Sequence, residues 1–334
     1  MKRILVTGGA GFIGSNFVRL ALKRWLAAEI VVLDKLTYAG NVENLRDVWS
    51  EPRFTFVKGD IADEGTARRT MNGCDAVVNF AALTHVDRSI LEPRDFAYTD
   101  VVGAMTLADV ARDLDVSRFV QVSTDEVYGA IDQGYFDEGS PLNPTNPYSA
   151  SKAGGDLLIF AYQRTFGLPA LISRSSNNYG PYQHPEKFIP LCITNALEDK
   201  PVPIYGDGLQ VRDWLFVEDN CEALAIILEV GAPGRVYNVG GECERENLDV
   251  ARSILRLLGK PETLLTFVTD RPAHDRRYAL RFDATAALGW RPRTPFDAGL
   301  ERTVRWYVEH ESWWRPLKGA AFDDYYRRQY GDRR

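Results

Sequence analysis

The sequence predicts an α/β protein, built as a doubly wound parallel sheet with a smaller C-terminal lobe. Three observations carry that expectation. Short apolar runs alternate with helical stretches through the first half of the chain. A glycine-rich turn joins the first run to the first helix. After Asn178, prolines 181, 185, 190, 201 and 203 divide the chain into short segments. Strands that alternate with helices are covered on both faces, so each reads as a continuous apolar run.

The elements follow in order. Residues 4–6 form the first strand, and 15 to about 28 the first helix. Residues 30–34 make the second strand, and 54–57 a third that ends near Asp60. Residues 76–80 follow a further helix, 97–114 have helical spacing, and 118–123 make another strand. A long helix is expected from about 146 to 166, then a strand at 170–173. Beyond the proline-rich stretch, 249–258 reads as a helix closed by Gly259 at its C-cap, and about 299–311 as another.

Composition narrows the function. The 334 residues carry 40 Lys and Arg against 46 Asp and Glu, a net charge of -6. That balance argues against a nucleic-acid partner, which calls for a basic face. Cys74, Cys192, Cys221 and Cys243 are far apart, which suits a reducing compartment rather than a disulfide framework. His85, His184, His274 and His310 lack metal-ligand spacing, so no metal is expected. The chain has no membrane-length apolar run, and glycines interrupt the N-terminal one. The cytoplasm is the expected location.

Gly8, Gly11 and Gly14 lie in the turn after the first strand. Such spacing permits a tight turn, close approach of backbone to a pyrophosphate, and close packing of helix on strand. The helix N-terminus then offers free N–H groups to the phosphates. Asp34 ends the second strand, 20 residues beyond Gly14, where a carboxylate accepts from ribose hydroxyls and repels a 2′-phosphate. The expected cofactor is NAD, on a Rossmann-like domain of residues 1–180 plus about 210–240. About 181–209 and 241–334 would form the substrate lobe. Asp60 and Ile61 end the third strand, within reach of an adenine.

Tyr148 and Lys152 are four apart at the start of the long helix, so they share a face. A nearby lysine favours the phenolate, a base able to take a proton from a sugar hydroxyl. Thr124, Asp125 and Glu126 follow a strand end, where doubly wound sheets bind ligands. Adjacent carboxyls there can act as acid and base if their surroundings separate their pKa values. Each feature alone has a structural reading: a surface Tyr–Lys pair, an N-capping Asp beside a solvated Glu.

Taken together, these motifs resemble the extended short-chain dehydrogenase/reductases, and within them the nucleotide-sugar 4,6-dehydratases, most closely the dTDP-glucose branch. The matching segments include TGGAGFIGSNFVR, LDKLTYAGN, HVDRSI, STDEVYG, NPYSASKA, SNNYGPY, PEKFIPL, YGDGLQVRDWLFVEDN, ENLDV and RPAHDRRYA, spread from residue 7 to 279. The resemblance implies a lyase that oxidises dTDP-glucose at C4, eliminates water across C5 and C6, and returns the hydride to C6. Tyr148 and Lys152 would serve the oxidation, Glu126 would be the base at C5, Asp125 the acid at the 6-hydroxyl, and Thr124 would orient the sugar.

The same resemblance extends the cofactor set to Phe12, Ile13, Lys35, Leu36, Thr37, Ala81, Ala82, Leu83, Thr99 and Asn178. For the substrate it implies Thr84, His85, Asn177, Lys187, Phe188, Pro203, Ile204, Tyr205, Arg212, Asn247, Arg271, His274 and Tyr278. Arg212 would pair with the diphosphate. It also implies a homodimer joined by a four-helix bundle of residues near 97–114 and 146–166. The chain departs from the family pattern at Leu83, where a carboxylate is common, at Asp100 in place of Asn, at Ala273 in place of Gly, and at Gly154-Gly155.

Overall fold

A computed structural model describes residues 1–331; the last three residues of the expected substrate lobe lie outside this range. Five parallel strands build up in the first part of the chain: β1 (Arg3–Thr7), β2 (Glu29–Asp34), β3 (Phe54–Lys58), β4 (Ala76–Asn79) and β5 (Arg118–Thr124). Between them run α1 (Phe12–Arg24), α2 (Glu64–Met71), α3 (Val86–Leu91), α4 (Pro93–Ala97) and α5 (Ala104–Asp113). Next come α6 (Pro147–Phe166), β6 (Ala170–Ser175), β7 (Asn177–Tyr179), α7 (Phe188–Leu197), β8 (Val202–Tyr205), β9 (Val211–Phe216), α8 (Val217–Val230) and β10 (Val236–Val239). The rest of the described chain adds β11 (Glu244–Glu246), α9 (Asn247–Leu258), β12 (Leu265–Val268), α10 (Asp283–Ala287), α11 (Phe296–Glu309), α12 (Glu311–Trp314) and α13 (Ala320–Tyr326).

The main sheet has seven strands in the order β10-β6-β5-β4-β1-β2-β3, all pairs parallel. One face packs on α1 and α8 through Phe17, Val18, Ala21, Leu224 and Leu228. The other packs on α2, α5 and α6 through Ala67, Met71, Leu107, Ala111 and Ile159. The expected doubly wound architecture is what the chain adopts. A three-stranded sheet, β11-β9-β7, and a pair, β12-β8, make up the remaining strands. A third apolar cluster joins Ile193, Val202, Trp214, Ile254 and Tyr307.

The chain leaves the main sheet at Ser175 and returns to it for β10. The outgoing and the second departing segments lie side by side: the Ser176 amide donates to the Val239 carbonyl at 3.0 Å. Gly241 follows, where a Cβ would sit 2.1 Å from the Trp214 carbonyl oxygen.

Element boundaries differ from expectation where capping decides them. α1 starts at Phe12 rather than residue 15, because Gly11 in extended conformation is its N-cap. It ends at Arg24, four residues early, in a turn that brings Ala28 N–H onto Trp25 O. The expected continuous helix over 97–114 is instead α4, a π-helical turn over Tyr98–Gly103, and α5. α9 begins two residues early, at Asn247, and Gly259 closes it at φ +65° as anticipated.

Candidate active site

A cleft of about 270 Å³ opens at the carboxyl ends of the main-sheet strands. Its floor begins at the glycine turn. Gly8 has φ +65°, and a Cβ there would lie 2.6 Å from the Ala81 nitrogen. A Cβ on Gly14 would lie 2.4 Å from the Gly8 carbonyl oxygen, so α1 packs against the turn only with glycine there. α1 has neither a side-chain cap nor an acidic residue in its first turn, leaving its N–H groups free for an anion.

Asp34 faces this turn. Its two oxygens accept from the Ala10 amide at 2.9 Å and the Leu36 amide at 2.8 Å. It therefore braces the loop, and each oxygen keeps a second lone pair for a hydroxyl. Burial raises its pKa, opposed by the Leu36 and Ala10 amides. Lys35 pairs with Asp60 at 2.7 Å. Of the expected cofactor residues, all but Leu36 line the cleft. Leu36 instead holds a φ of 57° and packs, partly buried, against the core. The cradle, the uncapped helix and the acidic residue fit a dinucleotide with free ribose hydroxyls.

The catalytic candidates come together at the end of β5. Thr124 caps the 3-10 turn Asp125–Tyr128: its Oγ1 accepts from the Glu126 amide and donates to Asp125 Oδ1, both at 3.3 Å. Asp125 Oδ2 and Glu126 Oε2 are buried without partners. Burial pushes both carboxyls up, but their neighbours differ. Asp125 is raised further by the negative charges of Glu126 and Asp213, well above the ordinary carboxylate value. Glu126 is held down by three cations, Arg271, Arg212 and Lys187.

Tyr148 and Lys152 enter from α6, whose start is fixed by an Asn146–Ser149 capping box and Pro147. Lys152 donates to the Val122 carbonyl at 2.7 Å, anchoring it to the strand that carries the acid pair. Burial raises the Tyr148 phenol well above its ordinary value, and Glu126 and Asp100 add to that. In this cleft, burial outweighs the phenolate-favouring effect anticipated from the lysine. Behind the acid turn lies a fully buried chain of bonds. Arg174 pairs with Asp156 at 2.9 Å and donates to Tyr128 Oη at 2.9 Å, which donates to Asn238 at 2.8 Å. It ties α6, β6 and β10 to the turn.

The substrate candidates divide. Thr84, Asn177 and Lys187 line the cleft with Thr124, and Lys187 donates to the Thr84 carbonyl. The others stand outside that lining. Phe188 stacks on Trp214, and Pro203 and Ile204 are buried in β8. Arg212 lies over the Tyr278 ring at 4.5 Å and donates to the Asp275 carbonyl. Tyr278 donates to the Asp275 carboxylate at 2.6 Å. Asn247 begins α9 with its Oδ1 buried and unpartnered. Arg271 pairs with Asp87 at 3.2 Å, and Tyr205 donates to the same carboxylate. His274 sits edge-on to Tyr205 and is held by Asp270. His85 meets the Tyr325 hydroxyl at 3.1 Å, with burial lowering its pKa to about 4.

Sequence reasoning missed Ser175, Ser176, Gln183, His184 and Glu186, which also line the cleft. Ser175 ends β6, a position the strand-end rule identifies. Glu186 lies within the PEKFIPL segment, but its own residue type gave no comparable signal, since its ion pair with Arg88 is made 98 residues away. Among the described residues, no cluster of three or more His, Cys, Asp or Glu is placed to hold a metal ion. Nor is any described helix long and apolar enough to cross a membrane.

Residues 5–303 match the model of the GDP-mannose 4,6 dehydratase family. A dTDP-glucose 4,6-dehydratase of Actinoplanes sp. is 49% identical over 318 residues, 93% of this chain and 99% of that protein. The low-salt glycan biosynthesis protein Agl12 of Haloferax volcanii is 50% identical over 91% of this chain and 98% of its own. Among solved structures, the dTDP-glucose 4,6-dehydratase DesIV of Streptomyces venezuelae, with NAD and TYD bound, superposes with a TM-score of 0.92 at 50% identity. That match covers 95% of this chain and all of DesIV. With a cleft built for a dinucleotide, an acid pair beside a tyrosine and lysine, and these matches along nearly its whole length, the chain belongs to the nucleotide-sugar 4,6-dehydratase family.

Proposed function

We propose that the protein converts dTDP-glucose to dTDP-4-keto-6-deoxyglucose and water, with NAD as its resident cofactor. One observation carries the reading most strongly: two adjacent carboxyls, with more negative charge around one and more positive charge around the other, face the same cleft as Tyr148 and Lys152. A simple epimerase has no use for such an acid. The names of the relatives support the same substrate.

Gly8, Gly11, Gly14 and Asp34 would hold the dinucleotide, with Thr99 and Asn178 further along the cleft. When bound, NAD supplies a reversible hydride acceptor. Tyr148 acts as the phenolate, which the charge of Lys152 favours against burial, and becomes the neutral phenol as it takes the proton of the 4-hydroxyl. A ketone at C4 acidifies the C5 hydrogen, and Glu126, held toward its charged form by Arg271, Arg212 and Lys187, removes it. Asp125, kept protonated by burial and by Glu126, gives its proton to the departing 6-hydroxyl, and Glu126 returns its proton to C5 while the hydride held by the cofactor would return to C6, which completes the 4-keto-6-deoxy sugar. Thr124, Thr84, Asn177 and Lys187 orient the sugar. Arg271, Tyr205 and His274 would form the outer wall toward the nucleotide. Arg212 acts through its charge on both carboxyls.

Residues 1–180 with about 210–240 would act as the cofactor half, and the remainder as the sugar-nucleotide half. A homodimer joined through α5 and α6 is part of the proposal, supported by the exposure of Leu157 (59%), Phe166 (52%) and Tyr98 (50%). The cytoplasm is the proposed location, in keeping with four free thiols. Turnover of dTDP-, UDP- and CDP-glucose, read by the alkaline absorbance of the keto sugar, tests the function. The expected result is product from dTDP-glucose above all. A 4-epimer or a pentose, with no 4-keto-6-deoxy product, would reject it.

A further inference from the structure

Asp100 has no part in the mechanism above, yet it is 2% exposed and lies against the helix that carries the phenol and the lysine. It belongs to the π-helical turn Tyr98–Gly103. The neighbouring Thr99 lines the cleft. The Asp100 carbonyl oxygen is 2.5 Å from where a Cβ on Gly155 would be, so the turn presses on α6 at a residue with no side chain.

The hydrogen bonds around this carboxyl do not close for an ion. Ser151 Oγ lies 2.7 Å from Asp100 Oδ2 and 2.8 Å from the Tyr148 carbonyl oxygen. A serine hydroxyl has one proton, so it donates to one of these acceptors and not both. The two contacts are satisfied together when the carboxyl itself carries a proton and donates to Ser151, leaving the hydroxyl proton for Tyr148 O. Oδ1 meanwhile is buried with no well-formed hydrogen bond, a costly position for half of a carboxylate.

We propose that Asp100 is a proton-carrying positioning residue: it donates its proton to Ser151, and when it loses that proton its charge opposes formation of the Tyr148 phenolate. Burial pushes its pKa up to about 6, with Lys152, Ser151 and the Leu83 amide pulling the other way. The groups facing it are few. α6 supplies Lys152 and Tyr148. The segment after β4 supplies the Leu83 amide. The α4 charges Arg94 and Asp95 are exposed, and those of α5 begin at Asp109. Tyr148 also feels Glu126 and Asp125 from the acid turn, and these stay constant in the comparison below.

The sign follows from the charge. Above about pH 6 an ionised Asp100 raises the Tyr148 pKa. Asp100→Asn keeps the shape and removes that charge. The ratio of kcat/KM for sugar oxidation, D100N over wild type, is expected to be near one at pH 5.5 and to rise to roughly three- to tenfold above pH 7. A ratio that does not change with pH overturns the proposal. A second measurement needs neither substrate nor D100N. Infrared difference spectra of the wild-type protein should show a buried carboxylic-acid C=O band that titrates near pH 6. That band should change frequency in S151A, which lacks its hydrogen-bond partner. No such band, or one indifferent to S151A, also overturns it. Loss of dehydration with an intact band would fault the proposed reaction instead.

Discussion

Asp125 and Glu126 are adjacent in sequence, yet negative charges outnumber positive around the first (Glu126 and Asp213 against Arg212) and positive outnumber negative around the second (Arg271, Arg212 and Lys187 against Asp275). That difference yields two predictions. Asp125→Asn should slow loss of water by about 10²–10⁴-fold while oxidation at C4 continues, so reduced nicotinamide accumulates on mixing with dTDP-glucose. It should also stabilise the fold. A carboxyl whose folded pKa lies above 3.8 makes the native state hold its proton more tightly than the unfolded chain does. Wild-type stability therefore falls as pH rises from about 4 through the folded value, and the variant escapes this loss. D125N should be more stable by about 1–3 kcal/mol at pH 8, the gap closing toward pH 4 in thermal melts. A gap that stays constant with pH would remove the buried-acid account. Much of this site was legible as residue types at spacings: the glycines, Asp34, the Tyr–Lys pair and the acid pair all reach the cleft. Their electrostatic division was not, because Arg271 and Lys187 come from remote segments.

α6 shows what an element gains from an unfavourable sequence. Gly154-Gly155 in mid-helix should cost stability by propensity alone. A Cβ at 155 would lie 2.5 Å from the Asp100 carbonyl oxygen, and one at 154 lies 3.0 Å from Val101 Cγ2. Gly155→Ala should therefore destabilise by about 1–3 kcal/mol despite its better helix propensity, read from urea unfolding midpoints. A stabilised variant would show that the turn yields easily. Helix periodicity anticipated the existence of these helices but not the π turn across Tyr98–Gly103, because that shift in bonding register is set by what the turn packs against. Ala273 sits at φ 51°, in the left-handed region that favours glycine. Leu83, in place of a carboxylate, joins Val86, Phe96 and Tyr148 in a small apolar cluster.

For the whole molecule, alternation of strands and helices was enough to reach the seven-stranded parallel sheet. The long-range pairs outside the cleft lining were not reachable that way: His85 with Tyr325 and Asp87 with Arg271 are pairs 240 and 184 residues apart. No local pattern encodes such distances. The proposed dimer belongs to this scale. Leu157 is exposed on the outer face of α6, so Leu157→Glu should shift the protein to monomers in light scattering at micromolar concentration, with little change in melting of the monomer. A wild-type protein that is itself monomeric would remove the bundle from the proposal.

The bond between Ser176 and Val239 has a mechanical meaning. Two passages of the polypeptide between sheets are fastened edge to edge there, at the end of the β6–β10 ladder. A line fastened in this way is expected to serve as a pivot when one section moves against the other to exchange ligands. Slow deuterium uptake at the Ser176 amide during turnover would support a fixed pivot; rapid uptake there would show that the seam itself opens.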